Sequence, residues 1–171
     1  MKLHFNLRPA HGADAKPLSA LATQVWLHTY ATDGVSPVIA DYVLDALNPD
    51  RFAQMLADPE ASVVVAEHGD NLLGFAKVRR NTPCPTGALA QVELQTLYVQ
   101  AHFIGKGVGS ALLRRVAHGA QDLAGSALWL TVSAQNQRAI DFYKAQGYRQ
   151  QGNTLFMLGG VGYENHVMVG P

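Results

Sequence analysis

LQTLYVQAHFIGKGVGSALL, residues 94–113, passes from an extended, β-rich segment through a short glycine-rich turn into apolar positions at helical spacing. Gly105, Gly107 and Gly109 alternate with Lys106 and Val108, and Ser110 follows as a candidate helix cap. Glycine lets backbone N–H groups come close to a ligand. The start of a helix adds unpaired N–H donors and about half a positive charge, so the turn is expected to hold a phosphate. Two familiar phosphate loops do not fit. A G-x-x-x-x-G-K-[ST] loop would need glycine where Gln100 stands, and Lys106 falls inside the glycine run. A G-x-G-x-x-G fingerprint begun at Gly105 would need its third glycine at Ser110.

Outward from that stretch the chain alternates strands and helices. Leu3, Phe5 and Leu7 alternate with polar residues and predict an opening strand. Leu18, Leu21, Val25 and His28 predict a helix, on which Trp26, His28 and Tyr30 either line a pocket or pack in the core. Ser36-Pro37 predicts a capped second helix, and Asn48-Pro49-Asp50 starts a third that ends near Asp58-Pro59. Segments 62–67 and 71–80 form an expected hairpin across His68-Gly69-Asp70-Asn71. After the loop at 81–87, residues 91–99 make the strand that leads into the glycine turn.

Downstream, Ala111, Leu112, Val116, Ala120 and Leu123 recur at helical spacing. A short strand at 127–132 follows, then a helix from Asn136 to a stop at Gly147. Two last strands, 148–158 and 161–169, flank Gly159-Gly160. This order predicts one α/β domain over residues 1–171, with a central mixed, mostly antiparallel twisted sheet flanked by helices.

Thirteen basic and thirteen acidic residues among 171 cancel, so no global field favours nucleic acid or a membrane surface. The single cysteine, Cys84, excludes an internal disulfide framework and reads as a loop thiol. No apolar run reaches transmembrane length and MKLHFNLRPA lacks a signal-peptide core, so a soluble cytoplasmic protein is expected. His11, His28, His102 and His166 lack metal-ligand spacing, and no metal site is expected.

The turn also fits [Q/R]-x-x-G-x-[G/A] between a strand and a helix, with Gly107 and Gly109 matching and Ile104 departing at the Gln/Arg position. That pattern resembles the acyl-CoA pyrophosphate loop of the GNAT superfamily of N-acetyltransferases. LTVSAQNQRAIDFYKAQGY carries a second match, N-x-x-A-x-x-F-Y-x-x-x-G-[FY], at Asn136, Ala139, Phe142, Tyr143, Gly147 and Tyr148. The resemblance covers residues 71–169. It implies residues 61–171 as the acyl-CoA-binding core and 1–60 as the substrate side. QVWLHTYA, VELQTLYV and FMLGGVGYENHVMV look most like bacterial spermidine/spermine acetyltransferases and their relatives, which would make the acceptor a small primary amine or polyamine.

The resemblance implies acetyl-CoA as co-substrate and direct transfer of its acetyl group to an amine. It places Leu97, Tyr98 and Val99 beside the pantetheine amides, and Gly105, Lys106, Gly107, Val108, Gly109 and Ser110 around the pyrophosphate. Asn136 becomes a pantetheine contact or a plain helix cap. Glu93 matches a glutamate used as base in the histone-acetyltransferase branch, or is a solvated strand carboxylate. Tyr143 matches the tyrosine near the thioester sulfur that protonates the departing thiolate, or packs beside Phe142 with its hydroxyl at the rim. Ile104 brings no donor but leaves the backbone nest intact. Tyr30, Asp33 and Glu67 are candidate amine contacts or, as the residues read more readily, structural or solvated groups, and a homodimer through the last strands is a family-based expectation. Competing readings are a peptide or protein acceptor, an acyl-CoA sensor without turnover, and a Rossmann-type nucleotide binder, the last disfavoured by Ser110 and by the lack of a closing acidic residue.

Overall fold

A computed structural model of the chain describes residues 3–171. Seven strands order β1-β2-β3-β4-β5-β7-β6 in a mixed sheet. They are β1 (Asn6–Pro9), β2 (Ala61–His68), β3 (Asn71–Arg79), β4 (Val92–Val99), β5 (Leu128–Ser133), β6 (Arg149–Leu158) and β7 (Val161–Val169). Among the described residues five α-helices accompany them: α1 (Ala15–Tyr30), α2 (Pro37–Ala46), α3 (Pro49–Ala57), α4 (Val108–Ala124) and α5 (Gln137–Ala145). β1–β2, β5–β7 and β6–β7 run antiparallel, while β4 and β5 run parallel at Val92↔Leu128 and Glu93↔Trp129. The chain forms two compact units, Met1–Lys77 with Thr96–Arg115 and Val78–Gln95 with Val116–Pro171.

In the first unit the helix starts follow from local chemistry. The Ser36 hydroxyl accepts from the Ile39 amide with Pro37 in the first turn, and the Asn48 side chain accepts from the Arg51 amide ahead of Pro49. Leu18, Leu21 and Ala22 of α1 and Phe52 of α3 bury against Val63 and Val65 of β2 and Phe75 of β3. Phe75 meets Phe52 edge-on at 6.0 Å and Tyr98 at 5.7 Å. The opening strand starts at Asn6, so the alternation at Leu3 and Phe5 runs ahead of its hydrogen bonding.

An ionic cluster ties β1 to the start of α1. The Arg8 guanidinium donates to Asp14 at 2.7 and 3.0 Å and to Glu67 at 2.7 Å. Asp14 is buried and also accepts from the His11 amide at 2.8 Å. Hydrogen bonding from Arg8 outweighs burial and holds the Asp14 carboxyl below its ordinary range. Glu67, a candidate amine contact or structural carboxylate by sequence, takes the structural role as a partner of Arg8.

The second unit is built around Trp129 of β5, which packs with Cys84, Ala90 and Val167. Its indole N–H donates to the Thr82 carbonyl at 2.7 Å, and the Ser126 hydroxyl accepts from the Gln91 amide at 2.8 Å. Cys84 is a loop residue, as its Pro-rich setting suggests, and its thiol is buried in this packing beside the Thr86 hydroxyl at 3.2 Å. α5 starts where Asn136 accepts from the Ala139 amide at 3.1 Å, and it ends before Gly147 at φ +89°. The Leu123 side chain lies outside the described residues.

Candidate active site

In the first unit β4 ends at Val99, a 3-10 turn covers Ala101–Phe103, and α4 begins at Val108. Between them Gly105 and Gly107 take φ +77° and +86°, a region that a side chain strains to enter. A Cβ added at either would meet no atom within 4 Å, so conformation, not crowding, calls for glycine there. Ile104 through Gly107 lie exposed, and the first amides of the 17-residue α4 have no partner within their own helix. This is an open cradle of backbone donors at the positive end of a helix, fit for a pyrophosphate. Ser110 is the third residue of α4 and not its cap, because the helix already starts at Val108. Lys106 is exposed and lies over the Phe103 ring at 5.4 Å.

Leu97, Tyr98 and Val99 are half-buried at the end of β4. Their placement depends on a residue that sequence reading passed over. A Cβ on Gly74 of β3 would stand 2.5 Å from the Tyr98 carbonyl oxygen and 3.1 Å from the Val99 Cα. The Gln100 amide donates to the Leu73 carbonyl at 2.9 Å, which anchors the exit from β4. Only the missing side chain lets β3 approach so closely. A glycine inside an apolar strand was the available signal.

In the second unit Glu93 is half-buried on β4, and its carboxylate accepts from the Gln95 side-chain amide at 2.8 Å. The two-residue spacing puts both on one face of the strand. Asn136 caps α5, and Tyr143 lies buried on that helix. The Tyr143 ring touches Phe142 at 5.2 Å and Tyr148 at 5.7 Å, and its backbone carbonyl accepts from the Tyr148 amide. Burial pushes the Tyr148 phenol up to about 12, so that hydroxyl stays protonated at neutral pH. Each unit thus gathers part of the expected set: the β4 end with the glycine turn in the first, Glu93, Asn136 and Tyr143 in the second.

The first unit also holds an open cleft of about 340 Å³ lined by Tyr30, Asp33, Gly34, Val35, Ser36 and Ile39. Tyr30 and Asp33 therefore share a concavity, whereas Trp26 is buried and His28 points to solvent. Trp26 stacks at 5.0 Å on Tyr30 and at 4.8 Å on Tyr42. Among the described residues no group of three His, Cys, Asp or Glu could hold a metal, and no helix is long and apolar enough to cross a membrane.

Residues 25–148 match the model of the acetyltransferase (GNAT) family. The chain belongs to the GNAT family. That span runs from within α1 to Tyr148, just before β6, and takes in both glycine-turn and Asn136 motifs. An uncharacterised N-acetyltransferase of Mycobacterium tuberculosis is 32% identical over 156 residues, covering 91% of this chain and 96% of its own. Thialysine N-epsilon-acetyltransferase of Bos taurus is 41% identical over 56 residues, a third of each chain (33% and 33%). Among solved structures, the PaiA N-acetyltransferase of Thermoplasma acidophilum in complex with coenzyme A shares the fold, with a TM-score of 0.72 at 18% identity over 96% of this chain and 98% of that one. The family, with its single α/β fold and acetyltransferase activity, agrees with the resemblance read from the sequence.

Proposed function

We propose that the protein moves an acetyl group from acetyl-CoA to the primary amine of a small molecule, by direct attack in a ternary complex. The observation that carries this reading is the turn at Ile104–Gly107. It is exposed, has two glycines at positive φ, and opens a long helix. Gly105 to Ser110 supply backbone donors to the pyrophosphate, Lys106 adds charge, and Asn136 supports the pantetheine arm. The strand end Leu97–Val99 pairs with the pantetheine amides, and an N–H there polarises the thioester carbonyl.

Acetyl-CoA supplies an activated acyl carbon with a thiolate leaving group. A lysine-like amine of pKa ~10.4 is neutral about once in 10³ molecules at pH 7, so freeing its lone pair costs on the order of 4 kcal/mol. Glu93 takes that proton, directly or through a water, held in place by the Gln95 amide. The amine nitrogen then bonds to the carbonyl carbon, the C–S bond breaks, and Tyr143 gives its phenolic proton to the departing sulfur. The acidic proton left on the new amide nitrogen returns to Tyr143 through solvent. The amide and free CoA thiol leave.

Acceptor class follows from relatives rather than from geometry. Thialysine N-epsilon-acetyltransferase and, at 34% identity over 106 residues, mycothiol acetyltransferase of Propionibacterium freudenreichii are both named for small molecules. The sequence resemblance adds polyamines to the acceptors worth testing. On this reading residues 1–60 face the acceptor and 61–171 hold acyl-CoA. Leu155 and Met157 on one face of β6 and β7, and Phe156, Val161 and Tyr163 on the other, leave exposed apolar side chains that suit a homodimer contact. The test is acetyl-CoA-dependent thiol release with spermidine, amino acids, aminoglycosides and lysine peptides. Turnover on a small amine is expected, and turnover on peptides alone would replace the acceptor class.

A further inference from the structure

We infer that Gly74 is a positioning residue for the coenzyme's pantetheine arm: the space left by its missing side chain aims the Val99 N–H off β3, where it donates to an amide carbonyl of the arm. The assignment rests on the acetyl-CoA reading above. The Tyr98 carbonyl and the Val99 N–H belong to one planar trans peptide, so they point in opposite directions. The Tyr98 oxygen leans over Gly74, 2.5 Å from where a Cβ would stand, which turns the Val99 N–H away from β3. The Gln100 amide fixes the same direction from the other side. It donates to the Leu73 carbonyl of β3 at 2.9 Å, and along an extended chain successive N–H groups face opposite edges.

Space, not conformation, calls for glycine at position 74, because its φ lies outside the left-handed region that Gly105 and Gly107 occupy. A Cβ there would also stand 3.1 Å from the Val99 Cα and 3.2 Å from its Cγ2. Regaining an ordinary contact of about 3.5 Å would push the Tyr98–Val99 peptide by about 1 Å. That peptide has little room to retreat. Phe75, buried in the core, holds the Tyr98 ring edge-on at 5.7 Å, and Gln100 is tied to Leu73. The displacement therefore falls on the Val99 N–H. A pantetheine arm carries two amides and can pair with a strand edge as a short added strand does, through main-chain hydrogen bonds. Such bonds weaken steeply as their angle degrades, so the aim of this N–H sets how firmly the arm is held. Gly74, Val99 and the glycine turn all lie in the first unit, so one compact body holds both arm and pyrophosphate.

The test uses the full chain and two probes, CoA and 3′-phospho-ADP, which keeps the pyrophosphate and lacks the arm. Calorimetric titration of Gly74→Ala should show CoA bound about tenfold more weakly, with the Kd for 3′-phospho-ADP within about twofold of wild type. A merely structural defect would weaken both. A second variant, with hydroxyisovalerate in place of Val99, exchanges the amide for an ester; it deletes the N–H and adds no bulk. It should show the same selective loss of about tenfold, and it decides the matter alone if circular dichroism finds Gly74→Ala unfolded. In the combined variant the two losses should total well under about a hundredfold, because both act on one hydrogen bond. An unchanged Kd for CoA in either folded variant, or equal loss of both probes, overturns the assignment and leaves the acetyl-CoA reading standing. Wild type that binds no CoA overturns both. The selective loss without acetyl transfer to any amine supports Gly74 as the positioning residue and sinks the transferase reading instead.

Discussion

The glycine turn at Ile104–Gly107 and the side chains of the second unit offer two opposite ways of building a site. In the turn, the proposed binding falls to backbone N–H groups, the residues lie exposed, and the essential feature is a φ that only glycine adopts easily. In the second unit the backbone is ordinary strand and helix, and the proposed function rests on single atoms: the Glu93 carboxylate held by Gln95, and the Tyr143 hydroxyl on a buried ring. Substitutions should therefore read differently in the two places. At the turn, conformation and coenzyme affinity should change; in the second unit, the rate should.

The largest effect belongs to the second unit. Glu93→Gln should cut kcat about 10²- to 10⁴-fold with the Kd for acetyl-CoA unchanged, which stopped-flow acyl transfer and calorimetry would separate. A matching loss of coenzyme affinity would erase the contrast. Next comes the scaffold of the first unit, as a control on stability. Asp14→Asn should cost about 2–3 kcal/mol in urea unfolding, because Arg8 loses a hydrogen-bonded partner in a part-buried cluster. The folded-state pKa of Asp14 is depressed. Its contribution is therefore complete above the ordinary carboxylate pKa and is lost as pH falls through the lowered one. The wild type should lose stability over that acid range, and the Asn variant should lose less.

Gly107→Ala sharpens the contrast from the turn's side. It should weaken acetyl-CoA binding about five- to thirtyfold, the equivalent of about 1–2 kcal/mol of left-handed strain, with little effect on kcat at saturation. The smallest effect is expected at Lys106→Ala. An exposed point charge contributes about 0–1 kcal/mol, so the Kd should rise less than about fivefold and the difference should fade as salt rises.

The same contrast explains what the sequence could disclose. The turn was legible because a backbone that needs positive φ writes itself as glycine, and Ser36-Pro37, Asn48-Pro49 and Asn136 each announced a helix start that the structure shows. Ser110 misled because a hydroxyl beside glycines resembles a cap, whereas α4 begins two residues earlier. Gly74 escaped notice because the atom it must avoid, the Tyr98 carbonyl oxygen, is 24 residues away in sequence and belongs to another strand. Glu67 was ambiguous for a similar reason, since its partner Arg8 stands 59 residues before it. The α1–α2 cleft was half visible. Tyr30 and Asp33 stood out by chemistry, but their shared concavity comes from the fold.

The central claim is that this chain transfers acetyl groups to an amine through Glu93 and Tyr143. Its most direct test is acetyl-CoA-dependent release of CoA thiol across the amine panel, with wild type and Tyr143→Phe side by side. The account predicts turnover on a small primary amine, slowed at least about tenfold in the variant while acetyl-CoA still binds. Binding of acetyl-CoA with no thiol released on any amine, or equal rates in wild type and variant, would contradict it.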